Sequence, residues 1–331
     1  MSDAPVFNLD PVMWETTFHI GNSTFHPQLR YYGLIFAAML YIGFLLWRWQ
    51  MLRGGHKPEI ADKYLIWGVI AVLLGSRLGH CLFYEPETYL ADPIRILKFW
   101  EGGLSSHGCT VGLVIAMLLF SYKYKLRFLE VLDRFAMSAT IGAAAVRLGN
   151  FLNSEVVGRV TNVPWAIRFP RHDCGRLGVC DEVFHNAKIL RPEDNPEWAR
   201  LIAETPARHP SQLYEFALGI FVLVSLYLAD RWAGREKRPI GLLAALFLVL
   251  YFAGRFCVEF VKEYQDGALE KSGQGLTEGQ ILSVVPFAIG LMLLGWVIVK
   301  RRPTHDGPIP EPWVEKPAAA KSKGKKKGKR S

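Results

Sequence analysis

The sequence predicts an all-α, polytopic membrane protein in which seven transmembrane helices carry a small periplasmic cap. Three observations predict it. Apolar residues make up half of the 331-residue chain and gather into seven blocks close to the roughly 20 residues that a helix needs to cross a bilayer. The Lys- and Arg-rich stretches fall in alternate connections, so all of them lie on one side. Only one connection, 149–210, is long enough to fold outside the membrane.

The spans are expected at about 31–50, 61–82, 107–121, 130–148, 211–230, 240–260 and 280–299. The third is short unless it begins inside "GGLSSHG". Residues 1–30 lack the cationic start of a secretory signal and read as an external lead-in, so the first span stays in the protein. "WRWQMLRGGHKPE", "SYKYKLR" and "DRWAGREKRP" connect spans 1–2, 3–4 and 5–6, and a basic tail follows span 7. The positive-inside rule places these four segments in the cytoplasm and the N-terminus outside. The chain then divides into the lead-in, spans 1–4 over 31–148, the cap over 149–210, spans 5–7 over 211–299, and a disordered basic cytoplasmic tail over 300–331.

Local signals agree with these boundaries. Thr277 and Gln280 in "LTEGQILS" have capping-box spacing at the start of span 7. Ser211 in "HPSQLYE" is placed to cap span 5, with the charge of Glu215 early in the helix where the dipole favours it. The pairs Gly75/Gly79 and Gly108/Gly112 have the small-xxx-small spacing that permits close helix packing. Within the cap, "VPWAIRFP" reads as a short strand.

The net charge of +9 comes largely from the tail, which holds eleven Lys and Arg from position 300 onward. Its Lys-Gly-Pro composition cannot bury a core, and it suits anionic lipid headgroups; no nucleic-acid partner is expected. Cys81, Cys109 and Cys257 fall in or beside spans, as small hydrophobes do. Cys174 and Cys180 lie in the cap, where an oxidising exterior would permit a disulfide. A metal site involving nearby His172 and His185 is the alternative, although the spacing matches no common zinc pattern.

Ionisable residues inside a span usually face a polar cavity, and here they are Arg77, His80, Arg147, Arg255 and Glu259. Tyr251, Arg255 and Glu259 recur at four-residue spacing and share one helix face. An internal Arg–Glu pair is the structural reading of that face. Arg147 and Asn150 are one turn apart, and Asn153 and Glu155 follow where the helix leaves the membrane. A lone Arg147 could simply snorkel to the headgroups. Two guanidiniums toward the same outer end instead suit a shared anion, and their forked donors suit a phosphate. His107 stands where span 3 begins on that side, with a reference pKa near 6.5 that fits a proton acceptor at neutral pH.

At these residues the chain resembles the prolipoprotein diacylglyceryl transferases of bacterial inner membranes. "RLGNFLNSEVVGRVT" at 147–161 is close to the most distinctive block of that family, and "HG" at 107, "HPSQLYE" at 209–215, "RFCVEF" at 255–260 and "LTEGQILS" at 276–283 follow in its order. The resemblance runs from "YYGL" at 31 to the end of span 7. It implies transfer of the sn-1,2-diacylglyceryl group of phosphatidylglycerol to the lipobox cysteine of a prolipoprotein carrying its signal peptide. The transfer would occur at the outer face of the inner membrane, without a metal or organic cofactor. It further implies that Arg147 and Arg255 hold and stabilise the phosphate. His107 would be the base or would position substrate. Asn150, Asn153 and Glu155 would orient the headgroup and Arg147, and Tyr32 and Tyr251 would line the site. Glu259 would set the Arg255 rotamer, and Gly158 would stand where the chain turns tightly. The long 170–208 stretch with its Cys pair, and Cys109 and Thr110 beside His107, depart from the family pattern.

A transporter or lipid flippase using the arginines as an anion pathway is the competing class. It requires polar residues through the full depth of several spans, whereas the cytoplasmic halves read as mostly apolar. A structural scaffold leaves the clustered Arg, Asn and His without a purpose.

Overall fold

The computed structural model describes residues 4–21, 23–98, 103, 105–180, 184–185, 188–189, 196–263, 276–305 and 311–313. In chain order its helices are α1 (Tyr31–Arg53), α2 (Pro58–Phe83), α3 (Pro86–Ala91), α4 (Ser106–Tyr124), α5 (Phe128–Leu152), α6 (Pro170–Leu177), α7 (Pro196–Glu204), α8 (Ser211–Trp232), α9 (Leu242–Val258) and α10 (Glu278–Lys300). Among the described residues seven are long and apolar enough to cross a membrane: α1, α2, α4, α5, α8, α9 and α10, with α9 continued by a 3-10 turn to Val261. The chain is a polytopic helical membrane protein, as its hydropathy pattern predicts.

The third span does begin inside "GGLSSHG". The Ser105 hydroxyl accepts from the Gly108 amide at 3.2 Å and caps α4, which gains its remaining length at the far end by running to Tyr124. The Thr277–Gln280 capping box is present in both directions, at 3.1 and 3.0 Å. Ser211 behaves differently from expectation. It is the first residue of α8, and its hydroxyl donates to the Val156 carbonyl at 3.0 Å, tying the helix to the loop after α5.

Helix α5 is the hub of the bundle, packing on α1, α8 and α9, while α2 pairs with α4 and α9 with α10. The glycine spacings account for the α2–α4 pair. A Cβ on Gly75 would lie 2.5 Å from the Gly108 carbonyl oxygen, and one on Gly112 would lie 2.5 Å from that of Ala71. Only residues without side chains let the two backbones approach this closely.

At the end of the bundle where α1 and α8 finish and α5 and α9 begin, apolar packing gives way to a buried ionic network. Arg53 bonds Asp230 and Glu236 at 2.6 and 2.8 Å, and Arg134 bonds Glu130 and Glu236, each at 3.0 Å. Arg238 bonds Asp230 at 2.9 Å. Asp133 accepts from the Gly241 and Ala244 amides at 2.8 and 2.9 Å, so it caps α9 from another helix. Arg134, Arg238, Asp133 and Asp230 are fully buried. The expectation of mostly apolar ends on this side is therefore corrected: the charges are there, neutralising one another. Thr304 and His305 dock onto the same network, through the Arg238 carbonyl and Glu236. Most of the expected disordered tail, residues 306–310 and 314–331, lies outside the described residues.

The opposite end carries the irregular structure. Strands β1 (Val12–Glu15), β2 (Phe18–Ile20), β3 (Ser23–Phe25) and β4 (Gln28–Arg30) form two antiparallel pairs, β1–β4 and β2–β3, and β4 runs straight into α1. Further along, β5 (Ile167–Arg168), β6 (Phe184–His185), β7 (Lys188–Ile189) and β8 (Ala207–Arg208) pair as β5–β8 and β6–β7. Only the last two residues of "WAIR" form the expected strand. Cys174 and Cys180 are joined in a disulfide, which consumes both thiols and removes them from any zinc site. His172 instead pairs with Glu263 at 2.7 Å; for His185 nothing beyond its place in β6 belongs to the described structure. Arg208 is buried between Asp173 and Glu263, each 2.7 Å away. Burial alone would weaken its charge, but the two carboxylates outweigh that and raise its affinity for the proton.

Candidate functional site

The site residues converge where α5 and α9 end and α8 begins, at the end of the bundle away from the ionic network. Two close helix contacts set their levels. A Cβ on Gly219 would sit 2.7 Å from that of Ala144, so α8 lies tight on α5 one turn from both Glu215 and Arg147. Gly254 is likewise covered by Leu218, which brings α9 onto α8 next to Arg255. Arg147, Glu215 and Arg255 consequently meet. The Glu215 carboxylate directs Oε2 at the Arg147 guanidinium and Oε1 at that of Arg255, 3.5 Å away. Glu215 is 2% exposed, whereas the arginine side chains retain 16% and 17%.

This pairing differs from the expectation in one respect. Glu259, on the same helix face as Arg255, is near enough to influence it electrostatically, as is Tyr251, but its bonded cation is Lys262 at 3.4 Å. The carboxylate that holds Arg255 is Glu215, four residues after Ser211 in "HPSQLYE". Read from the sequence, Glu215 is a favourable charge at a helix start. Its actual partners come from two other helices, which no spacing within α8 reveals.

Beyond α5 the chain turns sharply. Asn150 and Asn153 donate to the two oxygens of Glu155 at 3.3 and 3.2 Å, and the Gln212 amide donates to the Glu155 carbonyl at 2.8 Å. Ser154 and Val156 both adopt left-handed backbone, with φ of 57° and 56°. For β-branched Val156 that conformation costs about 1–3 kcal/mol and persists because Ser211 and Gln212 hold the loop from α8. The same turn leaves Asn150 Oδ1, Asn153 Oδ1, Gln212 Oε1 and the Ser154 hydroxyl buried without a hydrogen-bond partner. Buried polar atoms are normally paired, so a cluster of unpaired ones marks a place where a ligand's donors would be welcome.

Gly158 is required for close approach and not, as expected, for a tight turn. Its φ is not in the left-handed range, and a Cβ there would lie 2.5 Å from the His209 carbonyl and 2.8 Å from that of Val261. Its amide donates to the His209 carbonyl at 2.9 Å, and Arg159 N donates to Val261 O at 2.8 Å, so this strand stitches the entry of α8 to the exit of α9. Beside it, burial depresses the proton affinity of the His209 imidazole, which meets the Tyr214 hydroxyl at 3.1 Å.

Tyr32 stands at the start of α1 against Gly149, close enough to Glu155 and Arg147 to feel both charges. It lies in a shallow surface groove between α1 and α5, lined also by Ile35, Phe36, Ala145, Val146 and Gly149, with no enclosed room for a water-sized guest. His107 is not part of this convergence. It is exposed at the start of α4, and its hydrogen bond runs to the Tyr84 hydroxyl at 3.5 Å. Cys109, a free thiol, lies in the same turn. Arg77 is fully buried nearby but serves the fold. It donates to the carbonyls of Arg95, Ile96 and Lys98 and lies over the Tyr89 ring, binding the connection after α2.

The chain is similar in sequence to known proteins. Residues 17–296 match the family described as prolipoprotein diacylglyceryl transferase. A phosphatidylglycerol–prolipoprotein diacylglyceryl transferase of Nitrosomonas europaea is 38% identical over 274 residues, covering 81% of this chain and 85% of that protein. Proteins of the same name from Paraburkholderia phymatum and Burkholderia ambifaria are each 36% identical, covering 87% and 90% of this chain and 93% and 97% of their own. The chain belongs to the prolipoprotein diacylglyceryl transferase family, the membrane transferases of lipoprotein biosynthesis.

Proposed function

We propose that this protein transfers the sn-1,2-diacylglyceryl group of phosphatidylglycerol to the lipobox cysteine of a prolipoprotein, at the outer face of a bacterial inner membrane. The observation that carries the reading is the meeting of Arg147 and Arg255 on one buried carboxylate at the cap end. A thioether forms when the cysteine sulfur bonds to the glyceryl carbon and the bond from that carbon to the phosphate oxygen breaks. Glycerol phosphate leaves with that oxygen, and its negative charge grows as the bond lengthens. Two guanidiniums fixed at that point stabilise the charge as it develops, and removing one such donor typically slows a reaction by roughly 10²–10³.

The headgroup's free hydroxyls are donors, and the unpaired oxygens of Asn150, Asn153 and Gln212 are acceptors beside the clamp. The two guanidiniums of the clamp would repel a headgroup bearing a cationic amine, which favours a neutral glycerol headgroup. His107 stands exposed at the start of α4 on the neighbouring helix pair, and in this reading it takes the proton of the incoming thiol. A thiol with pKa near 8.5 attacks well only once its proton is removed. Its place beside Tyr84 also supports a second reading, in which it positions the lipobox peptide. The basic connections at the other end support a cytoplasmic placement of that end.

The test is purified protein in phosphatidylglycerol vesicles with a lipobox peptide. A diacylglyceryl mass gain on the cysteine with release of glycerol phosphate is expected, absent when phosphatidylethanolamine is the lipid. A folded protein that binds phosphatidylglycerol and never modifies the thiol would sink the reading and favour the transporter.

A further inference from the structure

Two arginines facing one phosphate raise a difficulty of their own. The substrate phosphodiester carries one negative charge, while the phosphomonoester that leaves carries up to two, its second ionisation falling near pH 6. Paired guanidiniums alone would hold the product more tightly than the substrate, and binding that is strong in the ground state or to product does nothing for turnover. Glu215 stands where this can be corrected. Its carboxylate is 2% exposed, and it divides its two oxygens between Arg147 and Arg255. It reaches that position from a third helix, held at the level of both arginines by the Gly219–Ala144 and Gly254–Leu218 contacts. Of the other carboxylates nearby, Glu259 is paired with Lys262, and Glu155 is held by the neutral carboxamides of Asn150 and Asn153; among the described residues the ion pairs of both arginines run to Glu215.

We propose that Glu215 is the positioning and charge-balancing residue of the clamp. It aims the two guanidiniums, and its fixed negative charge leaves the trio one positive charge to match a phosphodiester, so that a dianionic phosphomonoester is released. This inference rests on the transferase reading for its substrate but not for its test, which measures binding. In the Glu215→Gln protein the carboxamide keeps the shape and removes the charge. Titrating short-chain phosphatidylglycerol and, separately, sn-glycerol 1-phosphate into parent and variant at pH 7.5 in detergent compares the two ligands directly. A charge removed at contact distance in a partly buried site is worth a factor of roughly 10 or more. Glycerol phosphate should therefore bind the variant about tenfold more tightly, with a smaller gain for the diester. Turnover should show a lowered kcat with an unchanged or lowered KM and stronger product inhibition, and Glu215→Asp should recover part of kcat. A variant of parental melting temperature that binds both ligands more weakly, or in the parental ratio, would overturn the proposal. Binding that shifts as expected in a protein with no activity on the peptide would retain the charge-balancing role and reject the transferase reading.

Discussion

Arginines gather at both ends of this bundle, and the two gatherings are built on opposite terms. At the tail end Arg53, Arg134 and Arg238 face Glu130, Asp133, Asp230 and Glu236, so carboxylates outnumber guanidiniums, and Arg134 and Arg238 are wholly out of solvent. At the cap end Arg147 and Arg255 share Glu215 and keep part of their surface exposed. A cation sealed from solvent among carboxylates is out of a ligand's reach and can only hold helices together. An undersaturated, reachable pair has donors to spare, and the loop beside it adds unpaired buried oxygens. Charge inside a membrane protein is thus a poor guide to function until its partners are known.

The difference can be broken at either end. The largest expected effect is at the tail end, where Arg134→Ala removes the buried cation that Glu130 and Glu236 share and leaves Glu130 with His56 alone; loss of one partner in a buried pair costs about 3–5 kcal/mol. The melting temperature in detergent and the folded yield should both fall sharply. At the cap end, Arg147→Ala and Arg255→Ala should each reduce diacylglyceryl transfer roughly 10²–10³-fold, about 3–4 kcal/mol, with a smaller fall in melting temperature because buried Glu215 keeps its other arginine. Gly108→Val touches neither cluster and presses on the Gly75 carbonyl; it should lower stability by about 1–3 kcal/mol, read from the same melting curves.

The smallest effect is in pH. Burial would raise the Glu236 carboxyl, but Arg134, Arg238 and His305 together hold it well below the usual carboxylate range. Its folded value is depressed, so its contribution is complete above the ordinary value near 4.5 and is lost as pH falls below that toward the folded value. Melting temperatures measured down a pH series should therefore show the gap between parent and Glu236→Gln narrowing below about pH 4.5. A gap that widens on acidification would contradict the assignment.

What can be read from the sequence divides along a physical line. Spans, the Thr277 capping box and the Gly75/Gly79 and Gly108/Gly112 spacings depend on residues within one helix or on one simple rule, and all three are legible. Arg147, Asn150, Asn153 and Glu155 can be named because the block around 147–161 is distinctive, and Tyr32 because it stands in "YYGL" at the start of the first span; they do lie together. The partners of charges are not legible. Glu215 looks like a dipole-compatible first-turn residue, and Glu259 looks like the mate of Arg255, because sequence spacing reports neighbours along a helix and not across an interface. The pairing of β1 with β4 is equally hidden, since strands of three or four residues leave little pattern. The tail-end network escapes notice for a related reason: its residues are scattered from Arg53 to His305, and only helix packing brings them together.

The most direct test of the central claim is the mass of a lipobox peptide after incubation, in phosphatidylglycerol vesicles, with Arg147→Ala protein that remains folded. The two-arginine clamp predicts an unmodified peptide from this folded variant and a diacylglyceryl-modified one from the parent. A modified peptide formed at the parental rate would show that the phosphate is held elsewhere, and would reduce Arg147 to the structural role its counterparts play at the other end.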